Sequence, residues 1–367
     1  MKLHKKLWQV ENHLNSKQYL MKNIFLFLFV QSFYIVSTAQ QKTTGFTFAD
    51  QEELKQMDVL WNGKLLTSYC FYDSVMKPVL FPVNTLDGIT ITRGYPVAPR
   101  PGDRTDHPHH VGIWMNYESV NGLDFWNNST AITADKKSLY GTICQQEITN
   151  KIAGKQTASF TALANWQRPD GHILLKEKTI YHFTVKDEIL FIDRITTLTA
   201  NDIEVKFKDV KDGFFAIRVA RELEMPSQQA DVFVDAQGIK TLVPKINNEG
   251  ITGMYIGSDG SKGDSVWSTK GPWTILTGKK EGKNITIGII DHPENVGYPT
   301  YWHARGYGLF SANPLGRKVF SNGKEELNFS LQPNMSTTFK YRVVIASGKE
   351  ISTVQMNKLA DDFGKIK

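Results

Sequence analysis

The fold of this chain is decided by residues 157–198, which read TASFTALANWQRPDGHILLKEKTIYHFTVKDEILFIDRITTL. Gly171 and Lys186-Asp187 supply turn residues, and they separate three runs rich in apolar and β-branched residues, 157–166, 173–185 and 189–198. Consecutive runs of this length with turn residues between them are typical of neighbouring antiparallel strands. This stretch therefore predicts a sheet of long strands.

The same pattern extends in both directions along the chain. Asn62-Gly63 lies between two apolar runs, which is the strongest short signal for a β-hairpin. Further strands are predicted at 59–61, 65–69, 205–210, 214–219, 273–277, 285–290, 327–331 and 338–345. Only 51–57 and 351–363 have helical patterns. Many strands with almost no helix between them predict an all-β fold, a sandwich or a barrel, and we favour a large antiparallel β-sandwich with a short C-terminal helix.

Length and composition limit the classes of protein to consider. The chain has 367 residues, of which 41% are apolar and 22% charged, and this excludes collagen-like, disordered and disulfide-scaffold proteins. A single core usually stops growing at about 250–300 residues, so one very large domain or two are expected. No Pro/Ser-rich linker divides the chain, and we predict one domain over residues 40–367. Two smaller sandwiches are the alternative.

The N-terminus has the order of a secretory signal. Lys22 precedes an apolar run over 24–36, and Ser37-Thr38-Ala39 follows, so cleavage after Ala39 is expected. The run is shorter than the roughly 20 residues of a membrane span, although an N-terminal anchor helix is the alternative. We interpret residues 1–20 as an extension that results from an upstream start codon. The predicted location is periplasmic or secreted, without a stable membrane span after cleavage.

Removal of residues 1–39 changes the interpretation of the charge. The full chain has a net charge of +6, and without this segment 38 basic residues face 36 acidic ones. No Lys/Arg stripe remains, and a nucleic-acid partner is therefore excluded. Cys70 and Cys144 are the two cysteines. In an oxidising compartment they form either a disulfide or two free thiols.

Two segments concentrate histidine, aromatic and charged residues. The first covers 100–114 and contains Asp106-His107-Pro108-His109-His110; the second covers 291–305 and begins with Asp291-His292-Pro293. Their Pro and Gly residues predict elaborated loops, and loops on a rigid β scaffold commonly carry functional sites.

One interpretation of these segments is a metal site. His107, His109 and His110, completed by Asp106 or His303, offer ligand types that suit a divalent Zn, Cu or Fe ion. The spacing matches no established metal motif, however. We predict no cofactor and keep the divalent metal as the alternative.

The other interpretation is sugar chemistry. Aromatic faces stack on the apolar side of a pyranose, Arg and Asn bind its hydroxyls, and an imidazole near a carboxylate exchanges protons at neutral pH. A third segment, 208–218, adds a carboxylate and an arginine at a strand boundary. The candidate catalytic residues are His303, His110, Asp212 and Arg305. The candidate substrate-binding residues are His107, Arg104, Trp126, Arg218, Trp302 and Asn313.

The stretches HPHHVGIW at 107–114, NGLDFW at 121–126, DGFFAIR at 212–218 and YPTYWHARGYGLF at 298–310 together resemble a known family. It is a group of bacterial secreted proteins of unknown function labelled "methane oxygenase PmoA-like". The resemblance covers roughly residues 60–346 and implies a β-rich fold similar to the galactose-mutarotase-like supersandwich, in a polysaccharide-degrading setting. It does not imply a true methane monooxygenase, whose membrane subunit is helical, whereas no bilayer span follows Ala39.

These observations predict an exported carbohydrate-active protein that transfers protons near the anomeric carbon of a sugar, as an epimerase, lyase or hydrolase. In this hypothesis His303 or His110 is the acid/base and Asp212 its partner carboxylate. Arg305 stabilises negative charge, and Trp126 and Trp302 are the stacking platforms. A metal-dependent enzyme and a non-catalytic glycan-binding protein are the alternatives. The hypothesis requires the two histidine segments to meet in space.

Overall fold

A computed structural model describes residues 44–366, and within them the chain forms twenty strands and two α-helices. The strands are β1 Phe46–Gln51, β2 Gln56–Trp61, β3 Lys64–Cys70, β4 Val79–Val83, β5 Ile113–Tyr117, β6 Thr142–Ala153, β7 Thr157–Gln167, β8 Ile173–Lys186, β9 Ile189–Ala200, β10 Val205–Lys206, β11 Gly213–Arg218, β12 Asp231–Val234, β13 Lys240–Val243, β14 Met254–Gly257, β15 Trp273–Lys280, β16 Lys283–Asp291, β17 Tyr301–Arg305, β18 Leu309–Asn313, β19 Ser330–Leu331 and β20 Ser336–Ser347. The helices are α1 Arg317–Phe320 and α2 Thr353–Phe363, and short 3-10 turns cover Glu52–Leu54, Ala134–Leu139, Arg221–Leu223 and Gly263–Val266.

Sixteen of the strands form two antiparallel sheets of eight. Sheet A has the order β1-β2-β3-β4-β5-β11-β18-β17, and sheet B has the order β14-β15-β16-β20-β9-β8-β7-β6. β20, the last strand of the chain, lies inside sheet B between β16 and β9. Two-stranded pairs, β10-β19 and β12-β13, complete the strand set.

The two sheets pack face to face around one large apolar core. The rings of Phe215 in sheet A and Tyr341 in sheet B stack at 4.8 Å, and Phe214 meets Phe339 at 4.5 Å. Tyr69 of β3 meets Phe160 and Tyr181 of sheet B edge-on, with centroids 5.3 and 5.7 Å away. Burial of such rings is the main favourable term for a fold of this kind. The predicted β-sandwich is confirmed.

The long strands of the structure agree closely with those predicted from the sequence, whereas the regions near turns agree less well. Asn62 and Gly63 have φ of 50° and 76°, the backbone of the expected two-residue hairpin turn between β2 and β3. The helix predicted at 351–363 is present as α2, which begins with a capping box between Ser352 and Gln355. The helix predicted at 51–57 is wrong, because these residues end β1, form a 3-10 turn and begin β2. The backbone hydrogen bonds of the β1–β2 hairpin outweigh the weak helical preference of this stretch.

Three further sequence predictions concern the signal segment, the two cysteines and membrane spanning. The signal segment 1–39 lies outside the described residues and stays a prediction. Cys70 and Cys144 are both free thiols, and Cys70 is buried against Tyr72 and the carbonyl of Phe81. No helix within residues 44–366 combines the length and apolarity that crossing a bilayer requires.

Candidate functional site

The outer face of sheet A, away from the core, carries a patch of polar side chains. Side chains alternate along a strand, so on β17 Trp302 and Ala304 face the core while His303 and Arg305 face outward. Arg305 pairs with Leu309 of β18, which pairs with Arg218 of β11. The two arginines therefore occupy one row of the sheet, separated by a single strand.

A turn over residues 104–110 lies on this face and is held by two buried arginines. Oδ1 of Asp106 accepts hydrogen bonds from Arg218 Nη2 at 2.6 Å and Arg93 Nη1 at 2.7 Å. Arg93 also donates to the carbonyls of Arg104, Asp106, His107 and His110. Burial acts to raise the pKa of Asp106, but the charges of Arg218 and Arg93 and the bond from His107 outweigh it and hold the pKa well below its usual range. Asp106 is thus a permanent carboxylate.

His107 forms a dyad with this carboxylate. Its Nδ1 lies 2.5 Å from Oδ2 of Asp106, and its side chain is 41% exposed. The ring runs parallel to those of Tyr307 and His110, with centroids 5.0 and 4.8 Å away. A carboxylate that accepts from Nδ1–H leaves Nε2 as the basic nitrogen. The chain therefore presents one oriented, solvent-accessible imidazole on this face.

The dyad borders a cavity of about 460 Å³, which we call the His107 cleft. Four segments that are distant in sequence line it: Arg104, Asp106 and His107; Met225, Pro226, Ser227, Gln229 and Asp231; Asp264 and Trp267; and Ala304, Arg305, Gly306 and Tyr307. The first and last of these come from the two histidine segments. The structure therefore brings those segments together, as the sequence hypothesis requires.

Charges of both signs line the His107 cleft. Arg104 is buried and donates to Glu224 from Nε at 2.7 Å and to Asp231 from Nη1. The Asp231 side chain stays 30% exposed, and Asp264 is exposed in the next segment. Carboxylates with open lone pairs accept hydrogen bonds from hydroxyl groups of a ligand.

Aromatic side chains form the remainder of the wall. Trp267 follows the 3-10 turn Gly263–Val266 and is half-buried, with the guanidinium of Arg305 4.8 Å from its ring. Tyr307 is half-buried beside His107, and Arg218 lies under its ring at 4.8 Å. The cleft thus combines partly exposed ring faces with hydrogen-bonding groups, a mixture typical of small-ligand sites.

His303 and His110 do not reach this cavity. His303 is buried with its Nδ1 3.8 Å from Asp212 Oδ1, and its ring meets Trp267 edge-on at 4.8 Å. Burial, and then the charges of Lys211 and Arg305, lower the pKa of His303 well below its usual value. Burial lowers the pKa of His110 in the same way, and His110 Nδ1 accepts from Arg218 at 3.2 Å. Burial thus favours the neutral form of both imidazoles, which lie behind residues of the cleft.

Asp212 lies behind the cleft wall with His303. Its side chain is 18% exposed, and burial raises its pKa in spite of the nearby Lys211 charge. Asp212 is not among the residues that line the cavity. The pairing of His303 with Asp212 that the sequence suggested is present as a contact of 3.8 Å, below the surface rather than at it.

The predicted substrate-binding residues form two groups, those that line the cleft and those that are buried. Arg104 and His107 line the cleft, whereas Trp126, Arg218, Trp302 and Asn313 are fully buried. Trp302 packs on Phe310 in the core, and Trp126 packs on Trp114. Neither indole presents a face to a ligand, because Trp302 belongs to the main core and Trp126 is buried in a second apolar cluster. Asn313 instead donates to the carbonyls of Val210 and Lys211.

The histidine cluster does not have the arrangement of a metal site. Among residues 44–366, no three His, Cys, Asp or Glu side chains are grouped as metal ligands. The parallel rings of His107 and His110 explain this, because stacked imidazoles direct their nitrogens within separate planes rather than toward one point. His109 is buried with its ring edge-on to His110.

Sequence reasoning missed Trp267, Asp231 and Asp264, which line the cleft. Trp267 had a weak signal, as an aromatic residue within the polar stretch GSKGDSVWS at 260–268. Asp231 had none, because an aspartate at the start of a short strand is common. The second His-Pro pair was also misplaced: His292 lies at the C-terminal helix, with Nε2 3.0 Å from the carbonyl of Ile366.

Comparison with known proteins assigns the chain to a family and shows a distant structural similarity to solved structures. The model of a family described as "Family of unknown function (DUF6807)" matches residues 56–361, and no curated protein matches the chain. The GH36 alpha-galactosidase AgaB from Geobacillus stearothermophilus has a TM-score of 0.37 and 13% identity, over 82% of this chain and 41% of that one. A galactose mutarotase related enzyme from Lactobacillus acidophilus has a TM-score of 0.26 and 8% identity, over 83% of this chain and 98% of that one. This chain therefore spans about two fifths of the length of the alpha-galactosidase.

Proposed function

The chain belongs to the DUF6807 family, whose function is unknown, and we propose that it is a carbohydrate-active protein that holds a sugar in the His107 cleft and transfers a proton at or near the anomeric carbon. The observation that carries this proposal is the exposed imidazole of His107, fixed by a buried carboxylate beside partly exposed rings. We also propose, from the signal-like residues 21–39, that the protein meets its sugar outside the cytoplasm.

The dyad supplies the proton transfer. Asp106 cannot rotate, because Arg93 and Arg218 hold its other oxygen. It therefore keeps the proton of His107 on Nδ1, and Nε2 takes up or gives the substrate proton. When Nε2 is protonated, the carboxylate stabilises the imidazolium, as in other His–Asp pairs. Compared with the sequence hypothesis, the acid/base role moves from His303 or His110 to His107.

The other cleft residues bind and orient the sugar. Trp267 and Tyr307 offer apolar surface to the sugar, and Asp231 and Asp264 accept hydrogen bonds from its hydroxyl groups. Arg305 is placed to stabilise negative charge that develops on the ring or leaving oxygen. His303, with Asp212 behind it, supports Trp267 through the edge contact of their rings.

The test is a reaction panel that detects a change at any bond of the sugar. The protein is incubated in D2O with plant and host oligosaccharides, and mass spectrometry follows the products. Hydrolysis adds the mass of water, elimination gives an unsaturated fragment, and epimerisation at carbon introduces deuterium; anomer exchange is followed by NMR. We expect one of these signals with the native protein and none with His107→Asn. The same turnover in both proteins would contradict the dyad assignment, and binding without any turnover would identify a glycan-binding protein.

A further inference from the structure

Arg305 is a cleft cation whose guanidinium has no direct partner among the described residues. It is the last residue of β17, is exposed, and lies over the rings of Trp267 and Tyr307 with its Cζ 4.8 and 6.0 Å from their centroids. Its guanidinium makes neither a hydrogen bond nor an ion pair with any residue in 44–366. The two rings restrict its motion and leave its five N–H donors for a ligand.

The other arginines around the cleft all form ion pairs with carboxylates. Arg104 bonds to Glu224 and Asp231, and Arg221 bonds to Glu224. Arg93 and Arg218 share the carboxylate of Asp106. Among the arginines around the cleft in residues 44–366, Arg305 alone has neither a hydrogen-bond nor an ion-pair partner for its guanidinium.

The guanidinium of Arg305 favours a ligand that carries a carboxylate. A planar guanidinium binds a carboxylate through two parallel hydrogen bonds, and such charge-assisted bonds are stronger than neutral ones. The same cleft is lined by Asp231 and Asp264, which accept hydrogen bonds from hydroxyl groups and repel a second negative group. A ligand that satisfies Arg305, the two aspartates and the aromatic residues has one carboxylate, several hydroxyls and an apolar ring face.

We propose that the sugar of the His107 cleft is a uronic acid, whose carboxylate binds Arg305 while its hydroxyls bind Asp231 and Asp264. This inference rests on the proposed function, because it assumes that the cleft holds a sugar. Arg305 is then a specificity-determining residue, which separates acidic from neutral sugars.

The experiment compares each acidic sugar with its own methyl ester, which keeps the ring and hydroxyls and removes the charge. Trisaccharides of galacturonate, glucuronate and mannuronate, and their methyl esters, are titrated into the full chain by calorimetry. For the preferred trisaccharide we expect the acid to bind roughly 10- to 100-fold more tightly than the ester. In Arg305→Gln this ratio is expected to fall to near one, and in Arg305→Lys to an intermediate value. Arg168→Gln, an exposed arginine on the β7–β8 turn, is the matched control and is expected to keep the native ratio.

The outcomes separate this inference from the proposed function. Equal binding of acid and ester, a ratio that survives Arg305→Gln, or a preference for a sulfated neutral trisaccharide would overturn the uronic-acid assignment. In each of those cases the sugar-binding cleft would stand. Failure of every carbohydrate of the wider panel to bind would overturn both. Thermal unfolding of Arg305→Gln, expected to match the native midpoint because the side chain is exposed, checks that the variant is folded.

Discussion

The tripeptide Asp-His-Pro occurs twice in the described chain, at 106–108 and at 291–293, with opposite electrostatic settings. Asp106 lies against two arginines, and its pKa is held well below the usual range. Asp291 is fully buried with only neutral donors, Asn295 Nδ2 at 2.7 Å and the Thr300 amide at 2.8 Å, and burial raises its pKa to about 7. One sequence thus gives a fixed anion in one place and a titrating acid in the other.

The imidazoles differ in the same way. His107 is exposed and keeps Nε2 for a ligand, whereas both nitrogens of His292 are used by the Glu294 amide and the Ile366 carbonyl. The comparison teaches that a short motif does not define a site. Its function depends on the charges and the solvent that the remainder of the fold supplies.

The largest effect expected from this comparison is on turnover. His107→Asn removes the acid/base and is expected to lower the turnover of a sugar found in the reaction panel by about 10²–10⁴. Asparagine tolerates the left-handed backbone at this position, where φ is 43°. His292→Asn is the matched control and is expected to keep native turnover per folded molecule. Equal losses in the two variants, measured as initial rates, would erase the distinction between the two motifs.

The next effect is on stability at the first motif. Asp106→Asn removes the negative charge between Arg93 and Arg218 and leaves two buried cations uncompensated. Loss of one partner of a buried ion pair typically costs about 3–5 kcal/mol of unfolding free energy. Urea denaturation at pH 5 measures it, with Asp291→Asn as the control, because Asp291 is protonated there and loses no charge. A stability of Asp106→Asn close to the native value would show that the arginines do not depend on this carboxylate.

The pH dependence at the second motif gives a smaller effect. The pKa of Asp291 in the folded protein, about 7, lies above the usual value of 3.8. Its contribution to stability is therefore complete below pH 3.8 and is lost as the pH rises through 7. Between pH 5 and pH 8 we expect the native protein to lose about 2–3 kcal/mol relative to Asp291→Asn, measured by denaturation at each pH. Parallel pH profiles of the two proteins would mean that Asp291 ionises normally.

The smallest effect concerns the helix that covers the second motif. Ser352 caps α2 through the Gln355 amide, and Phe363 of that helix packs on the ring of His292. Ser352→Ala is expected to cost about 1 kcal/mol of unfolding free energy with unchanged turnover. Ser347→Ala, outside the helix, serves for comparison. A change in turnover of the folded Ser352→Ala protein would connect the second motif to the His107 cleft, contrary to their separation in the fold.

The sequence predicts the long strands because each carries its own pattern. Residues 157–198 alternate and turn within themselves, and the observed β7, β8 and β9 begin at the predicted residues. The sequence of β17 and β18 instead predicts loops, because Pro and Gly surround these strands and each has only five residues. β18 forms by pairing with β11, and β17 by pairing with β18, and these contacts between distant residues have no signature in the local sequence.

The candidate site was predictable in part for a similar reason. The dense charges and rings at 104–107 and 305–307 indicate a site wherever the chain places them. Which histidine is exposed depends on the strand face and on covering segments: the structure exposes His107 and buries His303 and His110, the two residues to which the sequence hypothesis gave the acid/base role. Trp267 reaches the cleft from a segment that is distant in sequence from both histidine segments. A contact between such distant segments produces no residue spacing by which a sequence pattern could predict it.

The position of β20 has a consequence for synthesis of the chain. Until residues 336–347 leave the ribosome, β16 and β9 have no partner between them, and sheet B exists as two pieces with unpaired edges. A nascent chain in that state exposes strand edges that pair readily with other chains. We expect sheet B to be completed only after β20 has been synthesised.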